Sequence, residues 1–180
     1  SQGQIMKTGY TIIPKAFTFE AYKAVFANPS SIINAYKVTI IVSISATVLG
    51  LLLESTYAYV LSRRDYPYRR LLSFIAFFTM LFNGGLVPTY ILITNWLKLK
   101  NTLWALILPG MAGAWHIMML KTFFMSLPVS LIESAKLDGA NEMTIFFKMV
   151  VPLSKPALAC IALFILFQFW NGWYSSLLYI

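Results

Sequence analysis

The sequence has little charge and few of the residues that build catalytic, metal or disulfide sites. Only 11% of its 180 residues are charged, whereas soluble domains contain about a quarter. Its single cysteine, Cys160, excludes an intrachain disulfide, and its single histidine, His116, has no second ligand at metal-binding spacing. No catalytic constellation and no Gly-rich phosphate loop are visible. We therefore expect no catalytic residue, no metal, no cofactor and no enzymatic activity in this chain.

What the sequence has in abundance is long apolar runs. Hydrophobic residues make up 59% of the chain, and the mean hydropathy is +0.72. Four runs, at 34–61, 71–94, 103–124 and 156–180, reach the roughly 20 residues that a helix needs to cross a bilayer. Without the alternation of a β-barrel these runs should be helices. The predicted fold class is all-α, a polytopic membrane bundle with about four spans, A to D, in contact with the lipid bilayer.

The distribution of basic residues predicts the orientation of the spans. The net charge is +8, but the basic residues stand at the ends of apolar runs and form no stripe, so nucleic-acid binding is not expected. Between spans A and B, four arginines stand against one acidic residue, Asp65. Such a cluster is retained in the cytoplasm. The arginines are Arg63, Arg64, Arg69 and Arg70.

This orientation also places the other connections. Segment 125–155 should be cytoplasmic, and the link 95–101 should be outside. Residues 1–33 should form an extracytoplasmic segment that precedes a transmembrane domain at 34–180, although Lys7, Lys15 and Lys23 run against the charge rule on that side. Because no initiator methionine stands at position 1, we expect the chain to be part of a longer one.

Segment 125–155 is predicted to be a helix, a turn and a second helix. Ser130 and Glu133 have the spacing of a capping box, and Gly139 can take the left-handed conformation that ends a helix. Asn141 can cap the second helix, which Pro152 should help to end. The second helix would present an apolar face, which on the cytoplasmic side seeks lipid headgroups or a partner protein. That face consists of Ile145, Phe146, Met149 and Val150.

The same segment resembles a known signature. Glu133-Ser134-Ala135, three residues, Gly139, nine residues, and Met149-x-Val151-Pro152 are similar to the EAA motif of binding-protein-dependent ABC importer permeases. Glu133, Ala135, Gly139 and Pro152 match the motif, whereas Ser134, Met149 and Val151 depart from it conservatively. Further stretches resemble the carbohydrate-uptake branch of this family. They are 137–140, which includes Asp138, 152–156, Trp170-Asn171 and 84–88.

The resemblance implies a type I importer permease in the bacterial plasma (inner) membrane that carries a sugar or oligosaccharide. Segment 125–155 would be the coupling helix, seated in a cleft of a cytoplasmic ABC ATPase subunit. The implied partners also include a second homologous permease subunit and an extracytoplasmic sugar-binding protein. Six spans are usual in the family, so the first and the last would be missing here. The implied ATPase contacts are Glu133, Ser134, Ala135, Asp138, Gly139 and Pro152.

Other residues have both a functional and a structural interpretation. Asn83, Gly84 and Gly85 interrupt span B and could line a cavity or allow close helix packing. Trp170 and Asn171 offer an aromatic face and an amide to a polyol, or simply pack. Glu133 and Gly139 could serve docking, helix capping, or both.

The charges inside the spans leave one alternative function open. Glu54 and Lys121 could snorkel or pair with a neighbour, and His116 could hydrogen-bond to another helix. Alternatively, these three residues would form the ion path of a secondary transporter or channel without an ATPase partner.

Overall fold

The structure is a computed structural model, and it describes residues 19, 22–23, 26–27 and 29–180. Most of the predicted extracytoplasmic segment 1–33 lies outside the described residues. The chain divides into two units between Val38 and Thr39, and all tertiary contacts discussed below lie within Thr39–Ile180. Every regular element among the described residues is helical, in agreement with the predicted all-α fold.

The helices follow the order of the predicted spans. Span A is one helix, and each later span is divided. The α-helices are α1 Pro29–Ser62, α2 Arg69–Leu81, α3 Leu86–Ile91, α4 Leu103–Ile107, α5 Ala114–Ser126, α6 Val129–Leu137, α7 Glu142–Ile145, α8 Val151–Leu153, α9 Lys155–Trp170 and α10 Trp173–Tyr179. Two π-helical turns, Leu92–Trp96 and Phe146–Val150, and a 3₁₀ turn, Leu108–Gly110, extend them.

In the part of the chain that the structure describes, α1 alone is long and apolar enough to cross a membrane as a single helix, and up to four spans result when each bent pair of helices counts as one. The axis turns by 112° between α2 and the α3 segment, and by 50° between the α4 segment and α5. The prediction of span D as a single helix over 156–180 is wrong, because Asn171-Gly172 separates α9 from α10. The 84° bend at Ser154 lies before this span, where the sequence predicted a break.

The breaks have local causes in the sequence. In span B, Gly85 has φ 83°, which disfavours a residue with a side chain, and the Asn83 Oδ1 accepts the Gly85 N–H at 2.9 Å. Before span D, Pro152 has no N–H to give to the carbonyl four residues earlier. The π-helical turn Phe146–Val150 lies directly before it. The predicted break in span B is therefore confirmed.

Two apolar cores hold the bundle together. The larger joins the second half of α1 to α5, to α9 and to the two helices of segment 125–155, which we call the hairpin. It includes Leu61, Leu120, Ile145 and Ile161. The smaller joins the first half of the Thr39–Ser62 stretch to α4 and α10 through Val42, Ala46, Leu106 and Tyr179. Large apolar side chains elsewhere remain exposed, as expected for a lipid-facing surface.

Backbone and side-chain contacts define two opposite ends of the bundle. At one end, the Asn101 N–H of the link between spans B and C donates to the Tyr179 carbonyl at 2.8 Å. At the other, Lys136 Nζ donates to Asp65 Oδ2 at 2.8 Å. The loop after span A and the segment after span C therefore share a face, as predicted. The arginine cluster predicts that this face is the cytoplasmic one.

Candidate functional site

The tip of the cytoplasmic hairpin is a tight helix end built on Gly139. This residue has φ 79°, and its N–H donates to the Lys136 carbonyl at 3.0 Å. The Ala140 N–H reaches back to the Ala135 carbonyl at 2.9 Å. These two bonds form a Schellman motif, which needs a left-handed residue at the position of Gly139. The predicted helix end is confirmed.

The two predicted helix starts have different outcomes. Asn141 caps the second helix, since its Oδ1 accepts the Thr144 N–H at 2.8 Å. The predicted capping box at Ser130 is wrong, because α6 begins at Val129 with Pro128 at the cap position and has no side-chain capping bond. Pro128 fixes its own φ and forces the chain out of the preceding helix, so α6 starts without help from Ser130.

The apolar face of the second hairpin helix is not free to bind a partner. Ile145, Phe146 and Val150 are at most 2% exposed and Met149 packs against the same core. The most exposed apolar residues of the segment lie instead at the tip, where Leu137 is 89% exposed and Met143 67%. The sequence pattern placed the docking surface on the wrong face, because this face closes the chain's own core.

The residues implied as ATPase contacts are mostly accessible. Ala135 is buried against the core at 8% exposure, so its small side chain lets α6 pack closely. A Cβ added at Gly139 would meet no atom within 4 Å, so the chain itself leaves this side of the tip open. The exposed members of the set are Glu133, Ser134, Asp138, Gly139 and Pro152.

Five side chains, which we call the anchor cluster, tie the hairpin to the end of span A. They are Tyr59, Arg63, Asp65, Lys136 and Glu142. Lys136 Nζ lies 2.8 Å from both Asp65 Oδ2 and Glu142 Oε1. Arg63 Nη2 lies 3.4 Å from Asp65 Oδ2 and 3.8 Å from Glu142 Oε1, and the Tyr59 hydroxyl donates to Glu142 Oε2 at 2.5 Å. Both halves of the hairpin are thus bonded to one helix end.

The charges of the anchor cluster stabilise one another. The hydrogen bond from Lys136 holds the pKa of Asp65 below its usual value, and the bonds to Asp65 and Glu142 raise the pKa of Lys136. Burial would raise the pKa of Glu142, but the bonds from Lys136 and Tyr59 and the charge of Arg63 outweigh it, so the pKa is lowered. Asp65, Lys136 and Glu142 are therefore charged near neutral pH, where the cluster is complete.

Sequence reasoning did not find the anchor cluster. The signal was present, because each of the two cytoplasmic segments carries both signs of charge: Arg63 with Asp65, and Lys136 with Glu142. Nothing in the linear pattern gave the distance between the segments. The pairing depends on how spans A, C and D pack together.

A second polar site lies within the bundle, where span A meets the break in span C. Glu54 is 1% exposed, and its Oε1 accepts the Gly113 N–H at 2.7 Å and lies 3.1 Å from His116 Nδ1. A Cβ on Gly113 would be 2.7 Å from His116 Nδ1, and one on Gly50 would be 3.1 Å from the Met111 carbonyl oxygen. Small residues thus let spans A and C approach closely at this point. We call Glu54, Gly113 and His116 the intramembrane joint.

The contacts of the joint distinguish the structural interpretation of the charges inside the spans from the ion-path interpretation. Glu54 pairs with a neighbour, and His116 hydrogen-bonds to another helix, as expected. Lys121 is not part of the joint, since its Nζ donates to Ser73 Oγ at 3.0 Å. The three residues therefore do not assemble into one ion path among the described contacts.

The residues proposed for a substrate path lie at two breaks, and their side-chain hydrogen bonds are local. Asn83 closes its own turn through Gly85, while Gly84 is exposed beside Pro88. The Asn171 amide donates to the Phe167 carbonyl at 2.9 Å, and Trp170 is 45% exposed. No described hydrogen bond or ring contact joins the two groups, so a common substrate site remains a prediction.

A helical bundle of bent spans, with a helical hairpin at one end, is the architecture of a membrane transport permease. The model of one family, "Binding-protein-dependent transport system inner membrane component", matches residues 46–179. The chain belongs to this family, and it is a component of the bacterial inner membrane.

Individual relatives agree with this membership. The chain is 41% identical, over 98% of its length, to the "Polygalacturonan/rhamnogalacturonan transport system permease protein YtcP" of Bacillus subtilis (strain 168). It is 33% identical, over 95% of its length, to the "Diacetylchitobiose uptake system permease protein NgcG" of Streptomyces coelicolor. It covers 61% and 57% of these two proteins, so it spans about three fifths of their length.

A solved structure has the same fold. One chain in the crystal structure of a bacterial ABC transporter involved in the import of the acidic polysaccharide alginate aligns with the present chain with a TM-score of 0.80 and 32% identity. The alignment covers 94% of the present chain and 60% of the other. The bent spans are therefore the fold of an ABC importer permease.

Proposed function

We propose that this chain is the core of a permease subunit that moves a sugar or oligosaccharide across the membrane with ATP hydrolysed by a separate subunit. The observation that carries this proposal is the hairpin tip. Leu137 and Met143 are exposed to solvent there, and their neighbours Lys136 and Glu142 are bonded to the end of span A through the anchor cluster. An exposed apolar tip held in this way would transmit force from a docked partner to the spans. The ATPase subunit is the partner that we assign to it.

The same geometry explains why docking at the tip would move the spans. Phe146 and Val150 are buried against α1 and α5, and the Tyr59 and Phe146 rings lie 5.1 Å apart. Displacement of the tip therefore displaces the cytoplasmic half of span A. An ATPase that opens and closes could change access to the transport path in this way.

The substrate class is inferred from the relatives. The two relatives described above are named for the transport of polygalacturonan/rhamnogalacturonan and of diacetylchitobiose. The transporter of known structure is involved in the import of alginate. We therefore propose a sugar or oligosaccharide delivered by an extracytoplasmic binding protein, with a second permease subunit completing the path. Trp170 and the break at Asn83, Gly84 and Gly85 are the first positions to examine for contact with the sugar, because aromatic faces and irregular backbone suit such a path.

Substitution of Gly139 tests the coupling role. Valine should cost roughly 1 kcal/mol or more at positive φ and disturb the tip itself. Asparagine tolerates the left-handed conformation, and its Cβ meets no atom of this chain within 4 Å. Gly139→Asn should therefore preserve the fold but obstruct a close-fitting partner. The readouts are ATPase stimulation by loaded binding protein and sugar uptake, in the full-length protein with its partners.

Two further variants complete this test. Leu137→Gln removes the apolar tip contact and should also uncouple ATP hydrolysis from uptake, whereas Ser130→Asn adds a larger polar side chain at the exposed start of the same helix and should not. All variants must insert at normal levels. If Gly139→Val and Leu137→Gln both leave coupling at the level of the unsubstituted protein, the hairpin is not the coupling element. Uptake by the permease alone, driven by an ion gradient, would instead favour the secondary-transporter alternative.

A further inference from the structure

A basic cavity opens on the cytoplasmic side of spans B and C, apart from the hairpin tip. It has a volume of about 680 Å³ and lies between the loop after α1, the start of α2 and the inner half of α5. Ser73, Asp65 and two aromatic or cyclic side chains complete its wall. The cationic residues that line it are Arg64, Arg69, Arg70 and Lys121.

The four cations of this cavity have no carboxylate partner among the described residues. The one acidic lining residue, Asp65, is engaged by Arg63 and Lys136 instead. Lys121 donates to the neutral Ser73 hydroxyl, and Arg69 Nη2 lies 3.7 Å from the Met125 sulfur, a weak acceptor. Like charges brought together in this way repel one another unless an anion joins them.

The start of α2 adds to the positive potential of the cavity. This helix has 13 residues, no acidic residue in its first turn and no side-chain capping bond. The Arg69 N–H donates to the Tyr66 carbonyl at 3.2 Å, but the positive end of the helix dipole still lies beside Arg69 and Arg70. The combined chemistry suits a phosphate group.

An apolar track leads from the cavity along α2. Phe74 is 62% exposed, Phe78 46% and Phe82 65%, and they follow Arg70 at successive intervals of four residues. Side chains four apart share one helix face. The ring centroids of Phe74 and Phe78 are 6.0 Å apart, and those of Phe78 and Phe82 are 4.5 Å apart.

We propose that this cavity binds the phosphate of an anionic phospholipid, whose acyl chain lies along the three phenylalanines. A free phosphate would use the cations but has no use for the aromatic track. Basic pockets at the cytoplasmic ends of spans are suited to such headgroups. The lipid would bridge spans B and C at the level of the inner leaflet and offset the repulsion among the four cations.

The test compares lipid retention between charge variants of the full-length protein, purified with its partner subunits. Native mass spectrometry counts bound phosphatidylglycerol after incorporation into bilayers of phosphatidylcholine with graded amounts of phosphatidylglycerol. Arg70→Gln combined with Lys121→Gln should weaken retention roughly thirtyfold, the ratio expected for two lost cation contacts at an anionic surface. Lys148→Gln with Lys155→Gln makes the same charge change at two exposed lysines outside the cavity and should leave retention unchanged.

Two further arms separate the sources of the phosphate and guard against misfolding. Lys121→Arg keeps the charge and should retain the lipid, which excludes a general effect of substitution. Phe74→Ser with Phe78→Ser should weaken binding of the lipid but not of inorganic phosphate. Equal loss from the two glutamine pairs would overturn the proposal, and so would displacement of the lipid by inorganic phosphate at equal concentration. Loss of a partner subunit from the Arg70 and Lys121 variant with an unchanged lipid count would show that protein covers the cavity instead.

Discussion

The anchor cluster and the intramembrane joint both hold helices together through carboxylates, but they do so in different media. Glu142 and Asp65 are half exposed to solvent, at 51% and 58% for their side chains, and share two cations. Glu54 is 1% exposed and serves one backbone N–H and one imidazole. In water each ion pair contributes little, whereas a buried polar group is costly when its partner is removed. Few contacts therefore suffice to hold helices together within the membrane, while several are needed at its surface.

Removing the Glu54 carboxylate should have the largest effect on stability. Glu54→Ala leaves the Gly113 N–H and the His116 ring without their acceptor, at a cost of roughly 2–4 kcal/mol. Thermal unfolding of the purified full-length protein in detergent would detect it as a lowered Tm. Glu54→Gln is the matched control, since its amide oxygen can still accept the Gly113 N–H. An alanine variant as stable as the glutamine variant would show that the joint contributes no hydrogen-bond stability.

A side chain at Gly113 should open the same joint by steric means. The Cβ of Gly113→Ala would lie 2.7 Å from His116 Nδ1 and 3.1 Å from Glu54 Oε1, and such overpacking typically costs about 1–3 kcal/mol. Gly84→Ala is the control, because its Cβ meets only Pro88 at 3.8 Å, an ordinary contact. The same unfolding measurement should show a lower Tm for the Gly113 variant. Equal Tm values for the two variants would mean that span C shifts without cost.

The anchor cluster should show smaller effects that depend on salt. In a double-mutant cycle of Asp65→Asn and Lys136→Gln, the coupling energy should be about 0.2–1 kcal/mol, and it should fall in 1 M salt because exposed charges are screened. Lys148→Gln replaces Lys136→Gln in the control cycle and should be additive with Asp65→Asn. A coupling energy that salt does not change would mean that the cluster is drier than its exposure indicates.

Acidification should remove the stability that the anchor cluster contributes to the fold. The pKa values of Asp65 and Glu142 are lowered in the folded state. Their contribution is therefore complete above the unfolded values near 4 and is lost as the pH falls through the folded values. The pKa of Lys136 is raised in the folded state. Its contribution is therefore lost only at alkaline pH, as the pH rises through the folded value. The coupling energy should accordingly be constant around neutral pH.

The parts of the site that could be predicted depend on interactions between residues close in sequence, whereas the parts that could not depend on interactions between distant residues. The helix end at Gly139 and the cap at Asn141 were predictable, because each depends on bonds within about five residues. The docking face was misplaced, because Ile145 and Phe146 could have faced a partner or the chain's own core, and periodicity cannot distinguish the two. The pairing of Lys136 with Asp65 joins residues 71 positions apart and has no local signal.

The sequence by itself determined that the chain is a helical membrane protein, and it predicted which end of its spans faces the cytoplasm and where the coupling signature lies. Those properties follow from composition, charge and short-range spacing. Only the tertiary structure decided that spans C and D are also interrupted, that Glu54 meets His116, and that Leu137 rather than Phe146 is exposed at the hairpin. The physical reason is that burial and pairing are properties of two surfaces in contact, and the second surface comes from a distant part of the chain.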